Sequence, residues 1–296
     1  MSGTKEIKNR IAGIRDTQKI TGAMYLIAST KQRTAKEEYD RTRPYFEALR
    51  GEIKRIFRVA GDAESIFLYP PHGEDISDGD YGYLVITADK GLTGAYNLNV
   101  IKETARLMEQ HTGGANKLYV IGEYGRQYYQ THHIPIEEDF RYSAQNPTIH
   151  RARKICRELL DAYTAGKFRK LFVIYSDLGG NAAAGKAVST RLLPFHRAEF
   201  TADEAETPVE ARFEFLPSVE KVLEGIIPSY VVGYVYAALA DSFCCEQSAR
   251  MSAMNAANDN ARELIGELNV QLNHVRQTAI TQEIIEVATG GRARRR

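Results

Sequence analysis

The length, composition and charge of this chain favour a folded protein and exclude several classes of function. Its 296 residues, 43% of them hydrophobic, suffice for at least one full core, so we do not expect disorder. The formal net charge of +1 argues against a protein built throughout for nucleic acid, although residues 1–58 carry fourteen Lys and Arg against seven Asp and Glu. That local basic excess predicts either a solvated helix face or a helix that lies against an acidic partner.

The cysteines predict the redox compartment of the protein, and the apolar stretches test for a signal peptide and a membrane span. Cys156, Cys244 and Cys245 do not make a disulfide framework, so we expect a reducing, cytoplasmic compartment. Charged residues interrupt the apolar runs near the N-terminus, so no signal peptide is expected. The longest apolar stretch, 226–240, is shorter than the roughly 20 residues that span a bilayer. We interpret it as the start of a buried helix and expect no transmembrane segment.

Both ends of the chain are predicted to form long helices. The first should run from about Thr4 into the fifties with a local bend at Pro44, and the last from Ser229 to about Ala288. The seam of the first helix consists of Ile7, Ile11, Ile14, Gln18, Thr21, Tyr25 and Ala28. The seam of the last consists of Met254, Ala257, Ala261, Leu264, Leu268, Gln271, Val275, Thr278, Gln282 and Ile285. Such steps of three and four predict either a coiled coil or two amphipathic helices packed on a core.

Between the helical ends, strand and helix signals alternate along the chain. Buried strands are expected at 83–87, 117–121 and 170–175, with helices at 99–110, 124–131 and 148–165. This alternation predicts a Rossmann-like α/β domain whose sheet is mostly parallel and carries helices on its faces.

Turn-rich and acidic segments mark the limits of this middle domain. The first strand of the domain follows a cluster of Pro, Gly and Asp residues at 69–80. Near the end of the domain we expect an acidic connection at 201–210, a strand at 211–216 and a short helix between Pro217 and Pro228. We therefore predict three domains: an N-terminal coiled-coil helix (1–60), a central α/β domain (61–216) and a C-terminal coiled-coil helix (217–296).

Two glycine-containing segments resemble phosphate-binding loops incompletely. Gly180 to Lys186 has the spacing G-x-x-x-x-G-K, but Ala187 stands where a magnesium-binding Ser or Thr should follow. We interpret it as a plain glycine loop. The segment from Asp89 to Asn97 follows the first predicted strand and lacks the third glycine of a dinucleotide fingerprint.

Spacing predicts no catalytic or metal site. His132 and His133 are adjacent, whereas helical metal ligands stand three or four residues apart, so we interpret them as surface or capping residues. No Ser/His/Asp or Cys/His arrangement is evident. We expect no catalytic residue, no cofactor and no bound metal.

Three motifs of the chain resemble the gamma subunit of F-type ATP synthases. The N-terminal motif consists of Lys5 to Lys8, Thr17 to Thr21, Ala23-Met24 and Lys31. The C-terminal motif consists of Arg250-Met251, Met254, Asn260-Ala261, Asn273, Arg276-Gln277 and Ile280 to Glu283. The middle motif consists of Asp89, Gly91, Leu92, Gly94 and Asn97. The resemblance spans the chain and is strongest over residues 5–33 and 243–291.

The resemblance implies a rotating central stalk. The terminal helices would form an antiparallel coiled coil inside a ring of three alpha and three beta subunits, and the middle domain would rest on the epsilon subunit and the membrane c-ring. By this resemblance the chain would bind no nucleic acid and perform no bond chemistry. It would lie peripherally on the cytoplasmic face of an energy-transducing membrane, most simply the bacterial plasma membrane. Ion flow would turn the stalk, which would drive each beta subunit through its binding states.

Residue by residue, the resemblance implies five coupling contacts to the ring: Met24, Arg250, Gln277, Thr281 and Glu283. Two positions nearby depart from the family pattern. Gly22 stands where the family usually has lysine, and Tyr25 is bulkier than expected. Both bear on the Met24 contact, since glycine costs roughly 1 kcal/mol in a helix interior.

Two other functions compete with the rotor interpretation. One is a nucleotide-binding α/β protein that uses Lys186, with the coiled coil as an accessory. The other is a coiled-coil adaptor unrelated to rotation, in which Arg276 and Gln277 could be replaced without effect on ATP synthesis.

Overall fold

The computed structural model describes residues 2–59, 65–69, 80–111, 113–178, 185–196 and 215–293. Long helices form at both ends, α1 (Ser2–Val59) and α5 (Val219–Ala293). The chain divides into two compact units. The first unit comprises Met1–Ala28 with Met251–Arg296, and the second comprises Ser29–Arg250. Each long helix therefore contributes to both units.

The first unit is a pair of antiparallel helices whose seam on α1 follows the predicted positions. Ile11 and Ala28 are buried, and the other five predicted residues of this seam are half-buried. The hydroxyl of Thr21 donates a hydrogen bond to Oδ1 of Asn258. Ten residues back along α1 and ten forward along α5 lead to Ile11 and Leu268, both buried. Equal steps in opposite directions thus meet at buried positions, as an antiparallel coiled coil requires.

The seam on α5 differs from the prediction at alternate positions. Ala261 and Leu268 are buried and Val275 is half-buried, as predicted, but Leu264 is 44% exposed and Gln271 is exposed. Their neighbours Ile265 and Leu272 lie half-buried in their place. A seam with alternating steps of three and four residues and a seam with steps of four and three share every seventh residue, here 261, 268 and 275. The spacing alone therefore does not decide which of the two adjacent residues between these positions faces the partner helix. The predicted seam residues beyond Val275, namely Thr278, Gln282 and Ile285, are all exposed.

The second unit is built on a four-stranded sheet. Its strands are β1 (Tyr81–Ile86), β2 (Asn116–Ile121), β3 (Lys170–Asp177) and β4 (Lys186–Leu193), in the order β2-β1-β3-β4. Both neighbours of β1 pair with it in parallel, whereas β4 pairs with β3 in antiparallel orientation. The prediction of a mostly parallel sheet is confirmed. The connecting helices are α2 (Tyr96–Gln110), α3 (Glu123–Thr131) and α4 (Ile149–Thr164).

Two local predictions were wrong. Lys186 and Ala187 do not lie in a glycine loop but begin β4, where they pair with Asp177 and Ser176 of β3. The helix expected between Pro217 and Pro228 is not separate, because α5 begins at Val219 and continues through Pro228. Proline in a helix interior loses a hydrogen bond, but the buried side chains on both sides of it hold this helix to the core. The expected connection at 201–210 and most of the expected strand at 211–216 lie outside the described residues.

Apolar side chains cover both faces of the sheet. Every residue of β1 is buried, as expected for a central strand with helices on both sides. One face packs against α4 and against buried residues of α1 and α5, including Ile53, Leu223 and Ile227. The other face packs against α2 and the C-terminal end of α3. Gly233 of α5 lies so close to Phe46 of α1 that an added Cβ would stand 2.1 Å from its ring.

Part of α5 is apolar enough to cross a membrane, judged by length and composition alone. The same stretch supplies core residues of the second unit. Leu223, Ile227, Val231 and Val235, spaced four residues apart, are all buried there. A core helix of this kind passes the same test of length and composition.

Candidate functional site

The C-terminal end of α5 extends past the pairing with α1. Continuing the antiparallel pairing from Thr21 and Asn258 brings Thr4, near the start of α1, level with Val275. From residue 276 to residue 285, every side chain of α5 is exposed. Three of these exposed side chains are large and apolar, Ile280, Ile284 and Ile285, and Val287 just beyond them is also exposed. We call residues 276–287 the free end of α5.

Three of the five predicted contact residues lie on this free end, but not on one face. Gln277 and Thr281 are one turn apart, and the hydroxyl of Thr281 donates to the backbone carbonyl of Gln277 at 2.9 Å. Together with His274, Thr278, Gln282 and Ile285 they line one shallow pocket. Glu283 lies six residues from Gln277, which turns it about 120° away around the helix. Because every side chain from 276 to 285 is exposed, exposed residues lie on all sides of this helical segment.

Met24 lies on α1 within the paired part of the first unit, where its side chain is half-buried. The antiparallel pairing places it level with Met254 and Asn255 of α5. Those residues are more than twenty positions from Gln277, or roughly 30 Å along the helix. The structure does not bring Met24 together with the free end.

Arg250 belongs to the second unit, where its side chain is held in place by three groups. Its Nη2 lies 2.7 Å from Oε1 of Glu246, one turn earlier on α5, and 3.3 Å from the carbonyl of Gly91, to which it donates. Its Nη1 donates to Oε1 of Gln247 at 3.1 Å. The side chain is only 12% exposed. Arg250 therefore links α5 to the loop that precedes α2.

Glu246 is the buried partner in this arrangement. Its side chain is 1% exposed, and among the described residues neither carboxylate oxygen receives a well-directed hydrogen bond. Burial raises the pKa of Glu246, and the nearby Arg250 opposes that rise. Spacing could have revealed this pair, because Glu and Arg four residues apart on a helix are neighbours.

The segment from Asp89 to Asn97 is a structural loop held by its own polar side chains. Asp89 Oδ1 accepts from the backbone N–H groups of Glu123 and Ala144, both at 3.2 Å. Asn97 accepts from the N–H of Ala88 at 2.8 Å and donates to the hydroxyl of Thr93. The polar side chains of the motif thus form hydrogen bonds within the second unit that hold the loop in place. They leave Leu92 63% exposed at the tip of the loop.

The residues weighed for phosphate or metal chemistry take other roles. A phosphate-binding lysine stands at the start of a helix, but Lys186 stands in a strand; Gly180 to Ala184 lie outside the described residues. His132 and His133 are exposed at the end of α3. Within the described ranges, no three His, Cys, Asp or Glu side chains converge as metal ligands would.

Comparison with solved structures identifies the class of fold. The chain is similar to a chain in the OSCP/F1/c-ring structure of the Euglena gracilis mitochondrial ATP synthase, with a TM-score of 0.67, 18% identity, and coverage of 99% of this chain and 94% of that one. It is also similar to the central stalk of the Tetrahymena thermophila enzyme, with a TM-score of 0.57 and 23% identity, over 80% of this chain and 99% of that one. At these identities the likeness establishes the fold alone.

Sequence comparison establishes the family. The family model described as ATP synthase matches residues 3–293. The ATP synthase gamma chain of Caldanaerobacter subterraneus is 36% identical over 97% of this chain and 99% of its own length. The sodium ion specific gamma chain of Acetobacterium woodii is 32% identical over 98% of both chains. The chain belongs to the family of ATP synthase gamma chains.

Proposed function

We propose that the chain is the rotating central stalk of an F-type ATP synthase. Ion flow through a membrane c-ring turns it, and it drives the beta subunits of a surrounding ring of three alpha and three beta subunits through their binding states. The epsilon subunit would contact the same stalk. Family membership over residues 3–293 and the central-stalk fold support this proposal.

The observation that carries it is the free end of α5. Exposed isoleucines and a valine on a helical segment that pairs with no other described helix are costly in water, so a protein surface should cover them. Gln277 and Glu283 face directions about 120° apart, and every side chain from 276 to 285 is exposed, so the helix offers contacts on all sides. A ring of subunits around the helix would contact both.

The chain supplies contact energy rather than bond chemistry in this proposal. As the stalk turns, Met24, Gln277, Thr281 and Glu283 meet different subunits in turn and stabilise different states of each. Arg250 acts at the level of the Gly91 loop, where Glu246 holds its guanidinium. The stalk would lie peripherally on the cytoplasmic face of an energy-transducing membrane, the plasma membrane of a bacterium.

The first experiment is co-expression with alpha and beta subunits of a related bacterium, followed by sizing and an ATPase assay. We expect an assembly of three alpha, three beta and one copy of this chain that hydrolyses ATP. A chain that stays alone, and that binds ATP in a manner abolished by Lys186→Ala, would contradict the proposal.

The second experiment locates coupling on the free end of α5. In the membrane-bound complex, the double substitution Gln277→Ala with Thr281→Ala should lower ATP synthesis about fivefold or more relative to ATP hydrolysis, because it removes polar contacts specific to certain states. The matched control is Glu267→Ala, an exposed residue in the paired part of α5. Equal coupling in the double variant and the control would count against these contact residues.

A further inference from the structure

A groove in the second unit lies between three helices and has no role in the proposed rotation. Its cavity of about 360 Å³ is within the range of small-molecule sites. Tyr45 and Phe46 of α1 form one wall, and Pro228, Ser229 and Val232 of α5 form another. α4 supplies the rest, with Ile149, Arg153, Cys156, Arg157, Leu160 and Asp161.

The floor of this groove is apolar and well packed. Cys156 is fully buried, with its Sγ 3.8 Å from the carbonyl of Val231 on α5. Leu160, Val232 and Phe46 are half-buried around it. Tyr45, at the edge, is 56% exposed, so the groove is open to solvent on that side. An aliphatic chain placed here would remove these apolar groups from water.

The rim of the groove carries two arginines without an internal partner. Arg153 and Arg157 stand one turn apart on α4, and both are exposed. Within the described part of the chain, neither guanidinium makes an ion pair or a hydrogen bond, and Arg157 does not pair with Asp161 four residues later. Two like charges at this spacing repel each other along a helix.

We propose that this groove binds an amphiphilic anion, a carboxylate or phosphate head on an aliphatic chain. The head lies between Arg153 and Arg157, whose guanidinium groups can donate to the oxygens of one anion. The chain enters the groove over Cys156 and Leu160. A medium-chain fatty acid matches the size of the cavity and has both features.

Calorimetric titration of the full chain with decanoate, below the concentration at which it forms micelles, tests the proposal. We expect saturable binding of one molecule that weakens as salt is raised from 0.05 to 0.5 M, because salt screens exposed charges. Decyltrimethylammonium has the same chain and the opposite charge, and should bind at least about tenfold more weakly. Equal binding of the two would overturn the proposal by showing an apolar surface without charge selection.

Substitutions separate the groove from other surfaces. Arg153→Gln with Arg157→Gln should weaken decanoate binding about tenfold, whereas Lys154→Gln, an exposed neighbour on α4 that does not line the groove, should leave it unchanged. Ser229→Phe should reduce binding by filling the cavity. Unchanged binding in the double arginine variant would overturn the proposal even if Ser229→Phe failed to fold.

A vesicle arm identifies the source of the anion. Co-sedimentation with phosphatidylglycerol vesicles that depends on Arg153 and Arg157, without binding of free decanoate, would support the same chemistry with a lipid headgroup as its source. Sedimentation equally strong in the arginine double variant, again without decanoate binding, would overturn the groove as the site.

Discussion

The two units of this chain bury their side chains to very different extents. In the described residues of the first unit, the buried apolar residues are Ile11, Ala28, Met254, Ala261 and Leu268. The second unit surrounds its sheet with two apolar clusters and fills the core with whole aromatic and branched side chains, Tyr83 and Phe168 among them. Dense packing fixes one conformation, whereas a thin seam leaves most of each helix available to other chains. Stability is therefore concentrated in the second unit and contact surface in the first.

The largest expected effect comes from a glycine of the second unit that lies against the backbone of a neighbouring segment. Gly122 has a φ of +93°, and a Cβ added there would stand 2.2 Å from the carbonyl oxygen of Thr87. Gly122→Ala should lower the free energy of unfolding by roughly 3 kcal/mol or more, from backbone strain and overlap together. Denaturant unfolding followed by circular dichroism measures it.

Gly166→Ala is the matched control for this substitution. Gly166 has a φ of +71° but no atom within 4 Å of an added Cβ. It should cost only about 1–2 kcal/mol, the strain of a left-handed backbone alone. Equal losses at both glycines would show that packing in the second unit is looser than the structure indicates.

A smaller effect should follow from thinning the seam of the first unit. Leu268→Ala removes one of its few buried side chains, which should cost about 2 kcal/mol, at the low end for leucine because neighbours are few. Amide hydrogen exchange of residues 5–27 should accelerate roughly thirtyfold, while that of β1 stays unchanged.

The same measurement on Leu264→Ala tests the register of the coiled coil. Leu264 is 44% exposed and should change exchange by less than about threefold. If the Leu264 variant loosened the unit as much as the Leu268 variant, the seam would follow the originally predicted positions instead.

The smallest effect concerns a carboxyl group that the dense packing of the second unit buries. Burial, with help from the nearby charge of Asp177, raises the pKa of Asp241 from 3.8 to about 6. The folded state then binds this proton more tightly than the unfolded chain. The stabilising contribution is full below pH 3.8 and is lost as the pH rises through about 6.

Asp241→Asn should abolish that loss. We expect the variant to be more stable than the parent chain by roughly 1–2 kcal/mol at pH 7, after allowance for partial exposure, and nearly equal to it at pH 4. Asp259→Asn in the first unit, where the carboxyl is 69% exposed, is the control for the substitution itself. A parent chain that gained stability between pH 4 and 6 relative to Asp241→Asn would reverse the sign of this prediction.

Much of the fold and part of the candidate site could be predicted from local patterns. The strands β1, β2 and β3 contain continuous apolar runs, and such runs predict buried strands from the local sequence alone. The strand β4 was missed because its side chains are mostly half-buried on a sheet edge, and its first residues imitate a phosphate-binding loop. Gln277, Thr281 and Glu283 were proposed from family motifs, but their exposure was not predictable from those motifs.

The sequence by itself determined the periodicity of the terminal helices, the alternation of the middle domain and the family to which the chain belongs, because each of these is written in residue types at short spacing. Only the tertiary structure decided which of two adjacent residues, Leu264 or Ile265, faces the seam, and at which residue α5 extends beyond its pairing with α1. It alone placed Arg250 against Gly91 and set Arg153 and Arg157 on the rim of one groove. Those outcomes depend on contacts between residues distant in the chain, and no local pattern encodes them.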